Sequence, residues 1–206
     1  QEAEEQFRAA LAVQPDYVEA HVNLAAVLTA RGLHEQAIEH YGQALVVRPT
    51  EPEVLKNLAG ALARQGMLDE AEERLSTAIR YAPDDADLHR SLGSVSARRR
   101  EYSSAVSHYR RALDLAPRDV DARIGLATVF MRIGDLQEAE VEYVEALTLD
   151  ADRLDAHKNL GVVLSRQGRL REAIAHFERA LQIDPDDRGA RSNLERARTL
   201  LRAKPD

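Results

Sequence analysis

Four asparagines stand at multiples of 34 residues from one another: Asn23, Asn57, Asn159 and Asn193. A carboxamide offers donors and acceptors together, so a row of them suits successive peptide groups without reading side chains. Ser91 and Gly125 hold the intervening positions and break the row in its middle. Two charged series share the same spacing. Glu19, Glu53, Asp87, Asp121 and Asp155 form one, and Arg64, Arg98, Arg132 and Arg166 form the other. The forked guanidinium donors bind both oxygens of a carboxylate, which makes these four arginines candidate contacts for an acidic partner segment. Each series also has a structural reading. Acids favour helix starts and bases favour helix ends through the macrodipole, and the asparagines are placed to cap or bridge neighbouring helices.

Catalysis finds no support. His21, His89 and His157 share one periodic position, His40, His108 and His176 share another, and His34 follows a turn. Groups that recur at a fixed period serve a scaffold, whereas catalysis needs one converging constellation. There is no glycine-rich phosphate loop and no metal-ligand spacing, so no enzyme activity, cofactor or metal is expected. A net charge of -7 argues against a general nucleic-acid binder. No run of 18 apolar residues is present, so no membrane insertion is expected. The absence of cysteine leaves both a cytoplasmic and a periplasmic location open. The chain has 25 Arg against 3 Lys, a usage that points to a GC-rich bacterial genome.

Every one of these groups rides on a unit of 34 residues. Leu24, Leu58, Leu92, Leu126, Leu160 and Leu194 recur at that period. So do Ala37, Ala71, Ala105, Ala139 and Ala173, and likewise Ala44, Ala78, Ala112, Ala146 and Ala180. Between the alanines falls Phe7, Tyr41, Leu75, Tyr109, Tyr143 or Phe177. A fixed period of this size indicates a solenoid. The stretch from Leu154 to Asp187 shows why each unit is two helices. Leu160, Val163 and Leu164 fall on one helical face, and Leu170, Ala173, Ile174, Phe177 and Leu181 fall on another. Gly168 ends the first helix because glycine enters the left-handed region without a Cβ penalty. Asp184-Pro185 ends the second, since the residue before proline is pushed out of helix. The Phe177 ring is expected to fill space toward the next unit.

Five full units follow: 18–51, 52–85, 86–119, 120–153 and 154–187. Residues 1–17 match a second half alone. With no initiator Met, they read as a piece of a longer protein whose array continues N-terminally. In 86–119 the turn is Arg98-Arg99-Arg100-Glu101, with Arg where Gly is expected. A left-handed Arg100 costs about 1 kcal/mol, so either Arg100 accepts that or the helix ends differently. This arginine run reads as a solvated turn, with an anionic docking spot as the alternative. Unit 120–153 lacks the closing proline, and its second helix is expected to run into Asp150-Ala151. Residues 188–206 read as a C-terminal capping helix, with Leu194 and Leu200 on one side and Glu195 and Arg198 making it polar outside. Lys204-Pro205-Asp206 is expected to fray.

A Leu-Gly/Ala pair, then Gly at the turn, then Ala, an aromatic, Ala and Pro: this order resembles the tetratricopeptide repeat (TPR) family over nearly the whole chain. The family's Trp near the start of the first helix is replaced by His21, Leu55, His89, Arg123 and His157. The resemblance implies an all-α fold, a right-handed alpha-alpha superhelix (TPR solenoid) of antiparallel helix pairs, with the first helices lining a concave groove. The pattern A-H-x-N-L-A/G is similar to the asparagine ladder in the repeat domain of O-linked N-acetylglucosamine transferase, which implies backbone contacts from Asn23, Asn57, Asn159 and Asn193. Ala26, Gly60, Ser94, Thr128 and Val162 leave such a groove floor open. Chaperone-binding members of the family carry a clamp with Lys and Asn four residues apart. Lys56 and Lys158 match its first position, but Gly60 and Val162 stand at the second, so a chaperone C-terminus is not the expected ligand.

The expected function is a non-catalytic protein–protein interaction scaffold that holds an extended peptide or short helix in its groove. One alternative is the substrate-recruiting arm of a larger enzyme such as a glycosyltransferase. Another is an array that self-assembles through the uncovered helix at 1–14.

Overall fold

A computed structural model describes residues 2–203; the expected fraying at 204–206 lies outside the described residues. The described residues form twelve α-helices and no strand, divided between two compact units, 1–115 and 116–206.

The first unit holds α1 (Glu2–Val13), α2 (Val18–Ala30), α3 (His34–Val47), α4 (Pro52–Arg64), α5 (Leu68–Tyr81), α6 (Ala86–Arg98) and α7 (Tyr102–Leu115). Each packs against the next, and α4 also touches α2 and α6. The repeated alanines Ala37, Ala44, Ala71, Ala78, Ala105 and Ala112 are all buried, which brings helix backbones close. Tyr41, Leu75 and Tyr109 fill the space above them. Helix α1 buries no residue fully, although Phe7 and Leu11 rest against the core.

The second unit holds α8 (Val120–Ile133), α9 (Leu136–Leu149), α10 (Leu154–Arg166), α11 (Leu170–Ile183) and α12 (Arg188–Ala203). The same logic builds it around Leu126, Tyr143, Leu160 and Phe177. The Phe177 ring lies over Gly161 of its own repeat. A Cβ at Gly161 would come 2.5 Å from the ring. Tyr109 covers Gly93 in the same way, at 3.0 Å. On α12, Ala190, Leu194 and Ala197 are buried. Leu200 does not join Leu194, being 48% exposed.

The turns settle two open points. Arg100 takes φ 66, beside Gly32 at 77, Gly66 at 84 and Gly168 at 80. The closing bond is the same as well: Glu101 N–H donates to Ser96 O at 2.9 Å, as Leu33 N–H donates to Leu28 O at 2.9 Å. The packing of α6 on α7 therefore outweighs the local penalty of about 1 kcal/mol. Helix α9 does not run on into Asp150-Ala151. It stops at Leu149, with Asp150 extended at φ -143. The Asp150 carboxylate accepts the Asp152 N–H at 3.3 Å, and Ala151 O accepts from His157 at 3.0 Å. The same bonds occur where proline is present, Asp184 with the Asp186 N–H at 3.0 Å and His89 with Pro83 O at 3.0 Å, so the turn forms without it.

Candidate functional site

Helices α4 and α6 present small residues to solvent side by side. Between them lies a cleft of about 310 Å³ whose rim carries Lys56, Arg64, Ser91, Ser94 and Arg98. An adjoining cleft of about 300 Å³ adds Asn57, Asp87, Arg90 and the buried Tyr41. Arg64 lines both clefts, with Arg98 beside it in the first and Asn57 in the second. Asp87 is the acid among these cations. Arg90 binds it at 2.6 Å and Lys56 approaches at 3.7 Å. Its hydrogen bond from Arg90 holds the Asp87 carboxyl below its usual value. Arg64 and Arg98 are exposed, and among the described residues neither they nor the Asn57 carboxamide has a side-chain partner. The site therefore has an excess of positive charge in a chain that is net negative.

Asn23 lines a different cleft, among Glu19, Arg48, Glu51 and Glu53. The Glu19 carboxylate accepts from its own backbone N–H and meets Arg48 at 2.7 Å, both of which lower its pKa. The arginine run at the α6–α7 turn is partly committed: Arg99 pairs with Asp69 at 3.2 Å, Glu101 at 3.0 Å and Glu72.

The second unit uses the same residue types differently. Arg166 donates to Met131 O at the end of α8, at 2.9 Å. Lys158 binds Asp187 at 2.6 Å, while Asp187 also caps α12 through the Ala190 N–H. Asn159 faces the Tyr143 hydroxyl, which Thr128 meets at 2.9 Å and which burial pushes up to about 12. Arg132 is exposed and Asn193 half-buried.

The histidines hold an arrangement that the sequence analysis missed. His21 Nδ1 meets His40 Nδ1 at 3.0 Å, His89 meets His108 at 3.5 Å, and His157 meets His176 at 2.9 Å. The second ring nitrogen of each first-helix histidine reaches the carbonyl that closes the preceding repeat: Pro15 O at 2.8 Å, Pro83 O at 3.0 Å and Ala151 O at 3.0 Å. Arg123 makes the equivalent bond to Pro117 O at 3.1 Å and pairs with Glu142 at 3.0 Å. The signal was a spacing of 19 within each repeat, read as H/H, L/R, H/H, R/E and H/H along the chain.

Antiparallel helix pairs in one register, closed by turns of one geometry, define an α-helical repeat protein. The chain belongs to the tetratricopeptide repeat family. The cytochrome c-type biogenesis protein H TPR domain model matches residues 73–191, and two tetratricopeptide repeat models match 28–94 and 1–52. No curated protein matches the sequence. Among solved structures, YrrB, a TPR protein with an unusual peptide-binding site, is 24% identical with a TM-score of 0.66, covering 91% of this chain and 96% of its own. TTC0263, a thermophilic TPR protein of Thermus thermophilus, is 24% identical with a TM-score of 0.73, over 88% and 99%. The APC/C hetero-tetramer Cut9-Hcn1 gives 22% and 0.83, over 95% of this chain and 39% of that one. At these identities the likeness establishes the fold. Repeats of this kind are generally non-catalytic interaction scaffolds. Among the described residues no helix is long and apolar enough to cross a membrane.

Proposed function

We propose that the chain is a peptide-binding scaffold and that its binding segment is the cleft between α4 and α6, which takes an extended, acidic stretch of a partner protein. The observation that carries this is the unpartnered trio of Asn57, Arg64 and Arg98 around an open floor of small residues. Asn57 offers its carboxamide to a ligand peptide group, with Asn23 extending the row on α2. Arg64 and Arg98 take carboxylates two-pronged. The likeness to a TPR protein with a peptide-binding site supports the reading. Asn159, Asn193, Arg132 and Arg166 hold the same repeat positions in the second unit, where Asn159 faces Tyr143 and Arg166 binds Met131 O, and they are not assigned to this cleft. A bond of about 1 kcal/mol from Asn57 and of about 1.5–3 kcal/mol from each arginine place the affinity between roughly millimolar and ten micromolar.

The test is fluorescence anisotropy with three labelled peptides of one length, rich in Glu, Gln or Lys. The Glu peptide is expected to bind best, to weaken with salt, and to lose affinity on Asn57→Ala. Equal binding of the three peptides, or an unchanged Asn57→Ala variant, rules the cleft out.

A further inference from the structure

We propose that the three imidazole pairs are acid-sensitive latches, each accepting one proton beyond its neutral form in the folded chain and two once its helices separate. The acceptors fix the tautomers. A backbone carbonyl only accepts, so the Nε2 of His21, His89 and His157 carries the hydrogen in the bonds to Pro15 O, Pro83 O and Ala151 O. The Nδ1 of each is then a bare acceptor. The Nδ1 facing it, on His40, His108 or His176, must be the donor. One chain of hydrogen bonds thus ties the incoming turn to the first helix and the first helix to the second.

The rings meet nearly head-on. Their centroids lie 5.2, 5.8 and 5.2 Å apart, against nitrogen separations of 3.0, 3.5 and 2.9 Å. A first proton enters at the free Nε2 of the outer ring and leaves the chain of bonds intact. A second proton has one place left, the inner Nδ1, where it would set N–H against N–H between two positive rings. Protonating both rings therefore breaks the bond that joins them. Separated helices have no such restriction.

The surroundings favour the neutral outer ring. Burial and then the facing imidazole lower His40, His108 and His176 below the ordinary value of 6.5. Around His40 stand Glu39 on α3, Arg8 from α1 and His21 from α2. His89 from α6 faces His108. Around His176 stand Glu172 on α11, Arg169 before it, Glu140 from α9 and His157 from α10. Because the folded values are lowered, the stability from these groups is complete above 6.5 and falls as the pH drops below it. The first unit carries two pairs and the second carries one.

The chain supplies its own replacements. The same positions hold Leu55 with Arg74 in one repeat and Arg123 with Glu142 in another. The experiment measures urea unfolding from pH 7.5 to 5.0 on the wild type and on a variant with all three pairs changed to the Leu–Arg type: His21→Leu with His40→Arg, His89→Leu with His108→Arg, and His157→Leu with His176→Arg. Each latch should contribute up to about a tenfold fall in the folding constant per pH unit as the pH drops below 6.5, and the swapped chain should lose that slope. Histidine 15N spectra of the folded wild type provide a second readout that needs no variant to fold. They should show one imidazolium per pair at pH 5. Two imidazolium rings in any pair while the helices persist, or an unchanged slope in the swapped chain, overturns the proposal.

Discussion

Lys56, Asn57 and Arg64 on α4 occupy the same repeat positions as Lys158, Asn159 and Arg166 on α10, three repeats further on. The two sets are used differently. On α10, Lys158 binds Asp187, Asn159 faces Tyr143, and Arg166 closes on the carbonyl of Met131. On α4, Asn57 and Arg64 point into a cleft without partners, and Arg98 from α6 joins them. Identical residues in identical register thus serve cohesion in one unit and remain open to a ligand in the other. A repeated polar group stays available only where the neighbouring repeat leaves it unanswered.

The sharpest way to break this comparison is to remove the arginines from each unit in turn. Arg64→Ala with Arg98→Ala should weaken a Glu-rich peptide roughly a hundredfold in anisotropy, at about 1.5 kcal/mol for each charged hydrogen bond. Arg132→Ala with Arg166→Ala should change it less than about twofold. Equal losses from the two double variants would end the distinction between the units.

Packing separates the units next. Gly161→Ala sets a methyl 2.5 Å from Phe177, whereas Gly93→Ala sets one 3.0 Å from Tyr109. The first should lose about 3 kcal/mol in urea unfolding and the second about 1 kcal/mol. Similar losses would mean that both rings yield equally. The smallest effect belongs to the turn at Arg100. Arg100→Gly removes a left-handed side chain and should gain about 1 kcal/mol, read as a higher melting temperature. No gain would mean that the Arg100 side chain makes a compensating contact.

Much of the fold was legible. The period placed every helix, and glycine or proline marked most turns, because those signals act on the backbone within a few residues. Arg100 and Asp150 were harder. There the local signal was missing, and the neighbouring helices imposed the turn. The candidate site was legible as a set of rows but not as an allocation. Nothing near Arg166 in sequence announces that Met131 O, 35 residues earlier, will take its donor. The histidine pairs were written at a spacing of 19, yet a ring-to-ring bond is recognised only when both helices are in place.

By itself the sequence determined the repeat, the helix pair and the closing turn, since burial periodicity and backbone preference act locally and recur 34 residues apart. Only the tertiary structure decided which asparagines and arginines stay free, because that depends on the one side chain or carbonyl lying across from each. Those opposing groups are where the repeats differ from one another.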